Sequence, residues 1–550
     1  MKSILKKIIV VVLCLLNIPI ASYAQIDTRG TDFWLMFGRN RILTHASVDL
    51  QIRIVGGNVP ATGTIHFTQL GTSIPFSVPA NGVFTHVLND AQKIAVYNNT
   101  AGITNRSVRI TTSTPVMVFA LNQAGATTDA TNVLPITALG TEYYMISGRP
   151  SNTATHMDAY GVVATEDNTR LYVEGTFVGT LNAGQTYYYM TSTNIDITGT
   201  HITSDKPVAF FSLRQGSNMG GSTNDHFFQQ LAPVHTWGRT FFAPVGYMGR
   251  NFVRIVASQD GTNITQIGGT VLSTAGAQTT LTNLQAGQWV ELEILLANNG
   301  AFIEANHPVG VCVFLPSSGA AITAPSDPSI AWLPALGQFV NSGLITPFIP
   351  SGNTQLNQHH ALIVTPTATR YNTTLSIGGA PAAPISGGTW RTHSSGFSFY
   401  MMQLHNLTAS YFFTNPAGLI VLGYGTGSVE SYYYVAVSGM RTLDVAFFAN
   451  DVHNQDLITH AFNTNDINFR AAIEGVTSSD PGHIKWFIDG VEDVSLRDQL
   501  TWSRNFPNGT YLIEMEVLGF DNVTVRRVEG TLVIGVFIIV NPHIRKTNIN

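Results

Sequence analysis

The residues of this chain that could perform chemistry are few, and they lie far apart. Asp225 and His226 are adjacent, and a carboxylate beside an imidazole is part of a general-base arrangement. Such a pair also needs a nucleophile and an orienting group within hydrogen-bond reach, and no motif in the sequence supplies them. We therefore interpret the pair as a capping aspartate beside an ordinary loop histidine. The sequence predicts no catalytic residues and a protein that is not an enzyme.

Patterns that bind metal ions are equally sparse. His359 and His360 are adjacent, so in a strand their side chains point to opposite faces and cannot chelate one ion well. The loops that contain Asp167, Asp260 and Asp327 offer the hard oxygen ligands that calcium prefers. Asp and Asn in turns bond their own backbone, however, which explains these residues without a metal. The sequence predicts no cofactor and no metal ligands, with calcium as the one ion these loops could hold.

The first 24 residues predict a signal peptide. A lysine-containing start precedes the apolar run Ile8–Leu16, and Ser22 and Ala24 provide the small residues expected before cleavage at Gln25. The apolar run is too short to cross a bilayer comfortably. We therefore expect an exported chain whose mature form begins at Gln25 and has no transmembrane segment.

The charge and the cysteine content of the chain exclude some classes of function. Lysine and arginine total 28 against 33 acidic residues, which excludes the basic surface that a nucleic-acid partner requires. The only cysteines are Cys14, inside the predicted leader, and Cys312, so the mature chain cannot form an intrachain disulfide. An exported chain without disulfides favours a bacterial envelope protein. We expect an extracellular location or the outer cell surface of a Gram-negative bacterium.

Four segments share one pattern, in which a strand runs into a proline and an apolar strand follows directly. Their prolines are Pro115, Pro207, Pro308 and Pro416, spaced by 92, 101 and 108 residues (207−115, 308−207, 416−308). A period near one hundred residues indicates a repeated all-β module. The predicted fold class is all-β, with about four related β-sandwich-like modules in tandem. A β-propeller-like body is the alternative.

The chain beyond residue 440 has a different pattern. The strand around Trp486 runs into Asp489-Gly490, and Asn508-Gly509 precedes an alternating strand. This order predicts an immunoglobulin-like β-sandwich without its cysteine pair. The predicted domains are a signal peptide at 1–24, repeated β modules at 25–440 and the immunoglobulin-like domain at 441–550.

Polar loops follow the first three proline-containing strands, at 123–132, 215–225 and 317–328. Loops in equivalent positions of a regular array fall on one side, so we expect them to form a repeated contact surface for a large ligand. The residues predicted to bind are Gln123, Asn132, Gln215, Ser217, Asn218, Asp225, His226, Ser317 and Asp327.

Several further segments carry a resemblance to a known family. They are Gly30 to Asn40, Ser204 to Phe211, Leu231 to Gly238 and Arg254 to Thr262. In order and spacing they resemble the N-terminal domain of the IgGFc-binding protein family, over roughly Gly30 to Gly439. The resemblance implies an exported, non-catalytic binding region whose partner is immunoglobulin Fc or a mucin-type glycoprotein. It implies no particular residues for the contact.

The leading hypothesis is therefore a secreted or cell-surface adhesion protein that engages a host or envelope macromolecule. A structural spacer or display stalk is the first alternative. The second is a glycan-binding or glycan-active protein, for which the tyrosine runs 187–189 and 432–434 would provide stacking surfaces. A glycosidase would also need paired carboxylates in a cleft, and the acidic residues here are scattered among turns.

Overall fold

The computed structural model describes residues 27–41, 44–348, 355–440, 445–454, 457–473, 484–518 and 525–535. Strands make up nearly all the regular structure there, and the single α-helix of the described residues is α1, Asp90–Val96. The predicted all-β fold class is confirmed. The predicted signal peptide lies outside the described residues. Within them, no helix has the length and apolar character needed to cross a membrane.

The strands of residues 30–437 form four modules, each built around one large sheet. In module 1 (30–133) they are β1 (Gly30–Leu35), β2 (Phe37–Gly38), β3 (Val48–Gly56), β4 (Ala61–Phe67), β5 (Thr72–Val78), β6 (Val83–Val87), β7 (Tyr97–Asn98), β8 (Gly102–Thr104), β9 (Val108–Ala124) and β10 (Thr127–Val133). In module 2 (140–230) they are β11 (Gly140–Tyr144), β12 (Ala159–Ala164), β13 (Thr169–Val173), β14 (Thr176–Leu181), β15 (Thr186–Met190), β16 (His201–Ser212) and β17 (Gln229–Gln230).

The later modules keep the long central strand and differ at the outer strands of their sheets. In module 3 (238–332) they are β18 (Gly238–Ala243), β19 (Arg250–Ala257), β20 (Ile264–Ile267), β21 (Gly269–Val271), β22 (Trp289–Leu295), β23 (Ala301–Phe314) and β24 (Ile330–Trp332). In module 4 (340–437) they are β25 (Val340–Ile345), β26 (Leu356–Pro366), β27 (Thr374–Ile377), β28 (Ala383–Pro384), β29 (Gly388–Thr392), β30 (Phe397–Gln403), β31 (Tyr411–Gly427) and β32 (Ser431–Val437). Short 3-10 turns occur at His45–Ser47, Ile136–Ala138, Val234–Thr236, Leu296–Asn298, Leu336–Gln338, Thr367–Asn372, Leu457–Thr459 and Val494–Leu496.

Each proline segment is one long bent strand rather than two separate strands. The part of β9 before Pro115 pairs with β1 and β4, and the part after it pairs with β3 and β10. The strands β16, β23 and β31 pair in the same way within their own modules. A proline cannot donate to the ladder, so the sheet bends there and curls. The prediction of four related tandem modules is therefore confirmed.

The modules close into a ring around an axis. The inner strands contact one another in cyclic order, since β10 packs against β17 and β32, and β24 packs against the same two strands. The start of the described chain completes the ring, because the Thr28 N–H donates to the Ser438 carbonyl at 3.1 Å and Asp27 forms a β-bridge with Gly439. A closed ring is also what the propeller-like alternative predicts for these modules.

A buried ion network joins modules 2 and 3. The Arg254 side chain is fully buried, and its Nε lies 2.9 Å from Glu291 Oε2 while its Nη1 lies 2.7 Å from Asp196 Oδ2. Arg149 pairs with the other oxygen of Glu291. Burial raises the pKa of Glu291, but Arg254 and Arg149 together keep it below its usual value. Each buried charge is therefore compensated, which a dry interface between two modules requires.

Residues 445–534 form a separate two-sheet sandwich. Its strands are β33 (Val445–Ala449), β34 (Val452–His453), β35 (Ala461–Phe462), β36 (Asp466–Ile473), β37 (Ile484–Ile488), β38 (Val491–Glu492), β39 (Thr501–Asn505), β40 (Gly509–Leu518) and β41 (Val525–Ile534). The sheets β34-β33-β36-β39 and β35-β41-β40-β37-β38 enclose a core in which Phe469 stacks on Trp502 at 4.0 Å. Asp489 and Gly490 have positive φ in the hairpin between β37 and β38. The immunoglobulin-like type and the boundary at residue 441 stay predictions.

Candidate binding surface

The three segments predicted as binding loops meet at one end of the ring axis. The prediction of a loop at 123–132 is wrong, because these residues form the end of β9 and most of β10 around a turn at 125–126. The Ser222 N–H donates to the Ser318 carbonyl at 2.7 Å, and the Ser318 N–H donates to Thr223 Oγ1 at 2.9 Å. Arg41 donates to the Asn224 carbonyl at 2.8 Å and to the Ala126 carbonyl at 3.4 Å. Loops from modules 1, 2 and 3 thus form one connected surface, which we call the axial end surface (residues 125–126, 152–155, 192–195, 218–224 and 318–325).

Most side chains predicted to bind are buried beneath this surface. Asn218 is half-buried, whereas the others are buried, namely Gln123, Asn132, Gln215, Ser217, Asp225, His226, Ser317 and Asp327. Several of these polar residues bond to one another or to the backbones of neighbouring modules, so the segments fold inward instead of standing free in solvent. In this structure the buried side chains cannot touch a macromolecule. A binding role stays a prediction, and the exposed parts of the same loops are the groups that could carry it.

Several of these side chains link one module to another. Asn132 Oδ1 accepts a hydrogen bond from Trp332 Nε1 at 3.0 Å, which joins modules 1 and 3 across the axis. Ser317 Oγ accepts from the Met219 N–H at 2.8 Å, which joins modules 3 and 2. Side chains of the inner strands therefore bond directly between modules.

Four acidic side chains, one from each module, lie buried near this end of the axis: Asp129, Asp225, Asp327 and Glu430. The carboxyl groups of Asp129, Asp225 and Glu430 accept hydrogen bonds from other modules. Asp129 accepts from the Phe228 N–H at 3.0 Å, and Glu430 accepts from the Ala126 N–H at 3.1 Å. Asp225 accepts from the Thr128 N–H at 3.2 Å and from the Thr127 hydroxyl. The acids hold the modules together at this end.

Burial governs the protonation of this cluster. It raises the pKa of Asp327 to about 8, and the neighbouring Asp225 adds to the rise. Burial also raises the pKa values of Asp129 and Asp225 well above their usual range. Removal from water lowers the pKa of His226 to about 3, and its ring nitrogens face Thr127 and Asn40. At neutral pH His226 is uncharged, and its neighbour Asp225 serves to connect modules.

The aspartates proposed as calcium ligands have simpler partners. Asp167 Oδ1 accepts from the Ala183 N–H at 3.0 Å, and Asp260 Oδ1 accepts from the Ala286 N–H at 2.9 Å. Both alanines begin an Ala-Gly-Gln sequence, so the recurrence of this tripeptide reflects one turn used in two modules. In the described part of the chain, no group of three or more His, Cys, Asp or Glu side chains is placed to hold a metal ion.

The adjacent histidines and the tyrosine runs are largely internal. His359 Nδ1 lies 2.8 Å from the Tyr432 hydroxyl, whereas the His360 ring stacks on Tyr424 at 4.8 Å, so the two imidazoles face opposite sides. The tyrosines 432–434 are all buried, because β32 is an inner strand covered on both faces. This run therefore offers no stacking surface to a glycan, and Tyr434 instead contacts Phe119 of module 1. Tyr189, 37% exposed, is the most accessible residue of the two runs.

Sequence reasoning missed a polar depression in the axial end surface. It is lined by Pro150, Ser151, Asn152, Ala154, Ser192, Thr193 and Asn194. Beneath it, the buried Arg214 pairs with buried Asp158 at 2.7 Å and donates to Asn194 Oδ1 at 2.6 Å. Asn194 in turn donates to the Ser151 carbonyl at 2.8 Å. A buried ion pair therefore fixes the shape of an exposed, uncharged surface, which lowers the entropic cost of binding.

Comparisons with known proteins give one family. The family described as "IgGFc binding protein" matches residues 29–195 and 129–425. The human IgGFc-binding protein is 25% identical over 338 residues, which are 58% of this chain and 6% of that protein. The chain thus spans a small part of its curated relative.

Solved structures give weaker matches. The bacterial integrin-binding protein invasin aligns with a TM-score of 0.16 at 10% identity, over 92% of this chain and 79% of that one. The N-terminal four Ig domains of Dscam1 isoform 7.44 align with a TM-score of 0.13 at 8% identity, over 72% of this chain and 100% of that one. At such scores neither match carries an argument about fold or function.

Proposed function

This chain belongs to the IgGFc-binding protein family, and from that premise we propose that it is a secreted or cell-surface binding protein whose axial end surface engages immunoglobulin Fc or a mucin-type glycoprotein. The proposed location is the extracellular space or the outer surface of a Gram-negative bacterium. The C-terminal sandwich is proposed to be immunoglobulin-like, and it lies beyond the residues that the family matches.

One observation carries this proposal: loops of different modules meet in a single connected surface inside the region that the family matches. A rigid surface assembled from several loops provides many weak contacts at once, so it suits a macromolecule better than a small substrate. The exposed groups there are hydroxyls, amides and backbone, together with the exposed apolar side chains of Ile195 and Ile322. The polar groups form hydrogen bonds with a protein or glycan surface without requiring an opposite charge.

Binding is tested with the mature chain, residues 25–550, immobilised and exposed to human IgG Fc, Fab and purified mucin. We expect Fc or mucin to bind and Fab not to bind. Thr193→Arg places a bulky charge in the depression and should weaken binding at least tenfold. Thr180→Arg is the matched control, since Thr180 is an exposed threonine of the same module on the outer strand β14.

The outcomes separate the hypotheses. Equal binding by the Thr193→Arg and Thr180→Arg proteins would reject the axial end surface. Absence of binding to all three probes would reject the proposed ligands and favour the structural spacer. Tm values for both variants, compared with the parent protein, establish that any loss of binding does not come from unfolding.

A further inference from the structure

The C-terminal sandwich carries a depression that the proposed function does not use. It lies on the outward face of the sheet β34-β33-β36-β39 and has a volume of about 500 Å³, which falls in the range of small-ligand sites. The half-buried Phe448 forms part of its wall. Six of its lining residues are polar or charged: Asn450, Asp451, Asn468, Arg470, Thr501 and Ser503. We call this feature the sandwich depression.

The alternation of side chains along two neighbouring strands puts four of these residues on one face. In β36, Asn468 and Arg470 are exposed and the residue between them is buried. In β39, Thr501 and Ser503 are exposed and the residue between them is likewise buried. The register places Arg470 opposite Thr501 and Asn468 opposite Ser503. The four exposed side chains therefore form two adjacent pairs.

An aromatic ring holds the arginine of the sandwich depression in place. Arg470 lies opposite Phe448 in the ladder between β33 and β36, and its guanidinium lies over the Phe448 ring, 4.4 Å from the ring centroid. Among the described residues, no carboxylate pairs with Arg470 and no hydrogen bond uses its side-chain N–H groups. Stacking on a ring restrains the guanidinium plane, so its free N–H donors are positioned before any ligand arrives.

The turn between β33 and β34 supplies a carboxylate. Asn450 and Asp451 have φ of 43° and 64°, as a two-residue hairpin turn requires. Asn450 Oδ1 accepts from the Asn468 N–H at 2.9 Å, and the Asn450 side-chain amide donates to the Asp466 carbonyl at 3.2 Å, so the turn is fixed to β36. Asp451 is exposed, and within the described part of the chain its carboxylate has no hydrogen bond or ion pair.

The free groups of the sandwich depression combine donors and acceptors and carry no net charge. Arg470 donates, Asp451 accepts and the Thr501 hydroxyl does both, while Asn468 keeps its side-chain N–H groups free because only its Oδ1 is bonded, by the Ser503 hydroxyl at 2.6 Å. Sugar hydroxyls also donate and accept, and two adjacent hydroxyls match the paired N–H groups of a guanidinium or the paired oxygens of a carboxylate. The charges of Arg470 and Asp451 balance, which favours a neutral sugar over an anion. The face of a sheet offers no free backbone groups, so an extended peptide cannot add a strand there.

We propose that the sandwich depression binds a neutral oligosaccharide. Arg470 and Asp451 bind adjacent hydroxyls, Asn468 and Thr501 bind further hydroxyls, and the accessible part of Phe448 packs against C–H groups of a sugar ring. The inference goes beyond the proposed function, because the sandwich lies outside the residues that the family matches and the site needs neither the axial end surface nor its ligand.

The test exposes the immobilised mature chain, residues 25–550, to soluble neutral oligosaccharides built from glucose, galactose, mannose or N-acetylglucosamine. We expect at least one of them to bind with a Kd of about 1 mM or below. Arg470→Gln removes the charged donor and should weaken this binding about tenfold or more. Asp451→Asn removes the carboxylate but suits the turn, since Asn tolerates positive φ, and should weaken binding to a similar extent.

The chain offers a matched control in the other sheet of the same sandwich. The Arg527 guanidinium also lies over a ring, 4.4 Å from the centroid of Phe487, but it pairs with Glu514 at 2.8 Å. Arg527→Gln should therefore leave the Kd for the oligosaccharide unchanged. Thr193→Arg, at the axial end surface, should also leave it unchanged, so this test does not depend on the proposed function.

Three results would overturn the proposal. The first is that no oligosaccharide of the panel binds at about 10 mM. The second is that the parent protein and the Arg470→Gln and Asp451→Asn variants bind with equal affinity, or that Arg527→Gln weakens binding as much as Arg470→Gln does. The third is that Thr193→Arg abolishes binding, because the sugar would then occupy the axial end surface.

Discussion

The Asp327 carboxyl shows how burial in the ring links single residues to pH. The side chain is buried, and desolvation with the nearby carboxyls of Asp225 and Glu430 raises its pKa from 3.8 to about 8. Arg41 opposes the rise only in part. In the unfolded chain the same group titrates near its ordinary value, so between about pH 4 and pH 8 the folded protein holds more protons than the unfolded one.

We therefore predict that stability falls as pH rises through this window and that Asp327→Asn reduces the fall. The measurement is the Tm of both proteins at pH 5, 7 and 9; burial lowers the pKa values of His226, His359 and His360, and their titration contributes to both profiles alike. At pH 9 the variant should be more stable than the parent by about 1–3 kcal/mol, because it buries a neutral amide in place of an unpaired carboxylate. Identical pH profiles for the two proteins would contradict the attribution of this fall in stability to Asp327.

For these single residues, the sequence predicted their position in the site better than their environment. Asp225, Ser317 and Asp327 do lie where modules meet, but the sequence suggested solvent-facing loops rich in serine and glycine. Their burial depends on partners such as Thr127 and Met219, which lie in other parts of the chain. A pattern read along a single segment does not contain those contacts.

Turns are the elements that the sequence predicted best. The Asp489-Gly490 step predicted a turn after the strand around Trp486, and both residues have positive φ in the hairpin between β37 and β38. The two Ala-Gly-Gln turns follow the same local rule, with φ of 81° at Gly184 and 79° at Gly287. Bent strands were harder to predict, because a proline marks an interruption of the ladder but does not show that the same strand continues beyond it.

Gly287 tests how strictly these turns need glycine. Its φ is positive, and a Cβ there would lie 2.9 Å from the Gly199 carbonyl oxygen and 3.3 Å from Tyr144. We predict that Gly287→Ala lowers the free energy of unfolding by about 2–3 kcal/mol, since a backbone penalty of about 1–2 kcal/mol adds to the crowding. Gly261→Ala is the control, because Gly261 has a similar φ of 75° but no atom within 4 Å of its Cβ position.

Urea unfolding of both variants checks this difference. The control should lose only the backbone part, about 1 kcal/mol, so the two midpoints should differ clearly. If both variants lose the same free energy of unfolding, the contacts of this turn with Gly199 of module 2 do not contribute to stability.

For the whole molecule, the repeat predicted the number of modules but not their closure. A period near one hundred residues is compatible with an open row or a ring, since it contains no information about the two ends. Closure involves contacts between residues far apart in the chain, such as Thr28 and Ser438, which are 410 positions apart. The repeat in the sequence does not show that two such distant residues are in contact.

Closure is the property of the whole molecule that can be tested most directly. Asp27 and Thr28 are both buried, and their backbones bond to Gly439 and Ser438 at the end of module 4. A mature chain shortened to begin at Gly30 loses these bonds, so we predict a loss of about 2 kcal/mol in stability at roughly 1 kcal/mol for each hydrogen bond. Modules 1 and 4 should also show faster hydrogen exchange in β10 and β32, which pack together.

A chain ending at residue 440 is the control: the C-terminal sandwich has its own core, so its removal should leave the exchange of β10 unchanged. If the shortened and parent chains have the same Tm and the same exchange rates, the ring is held by its inner strands alone and not by its first residues.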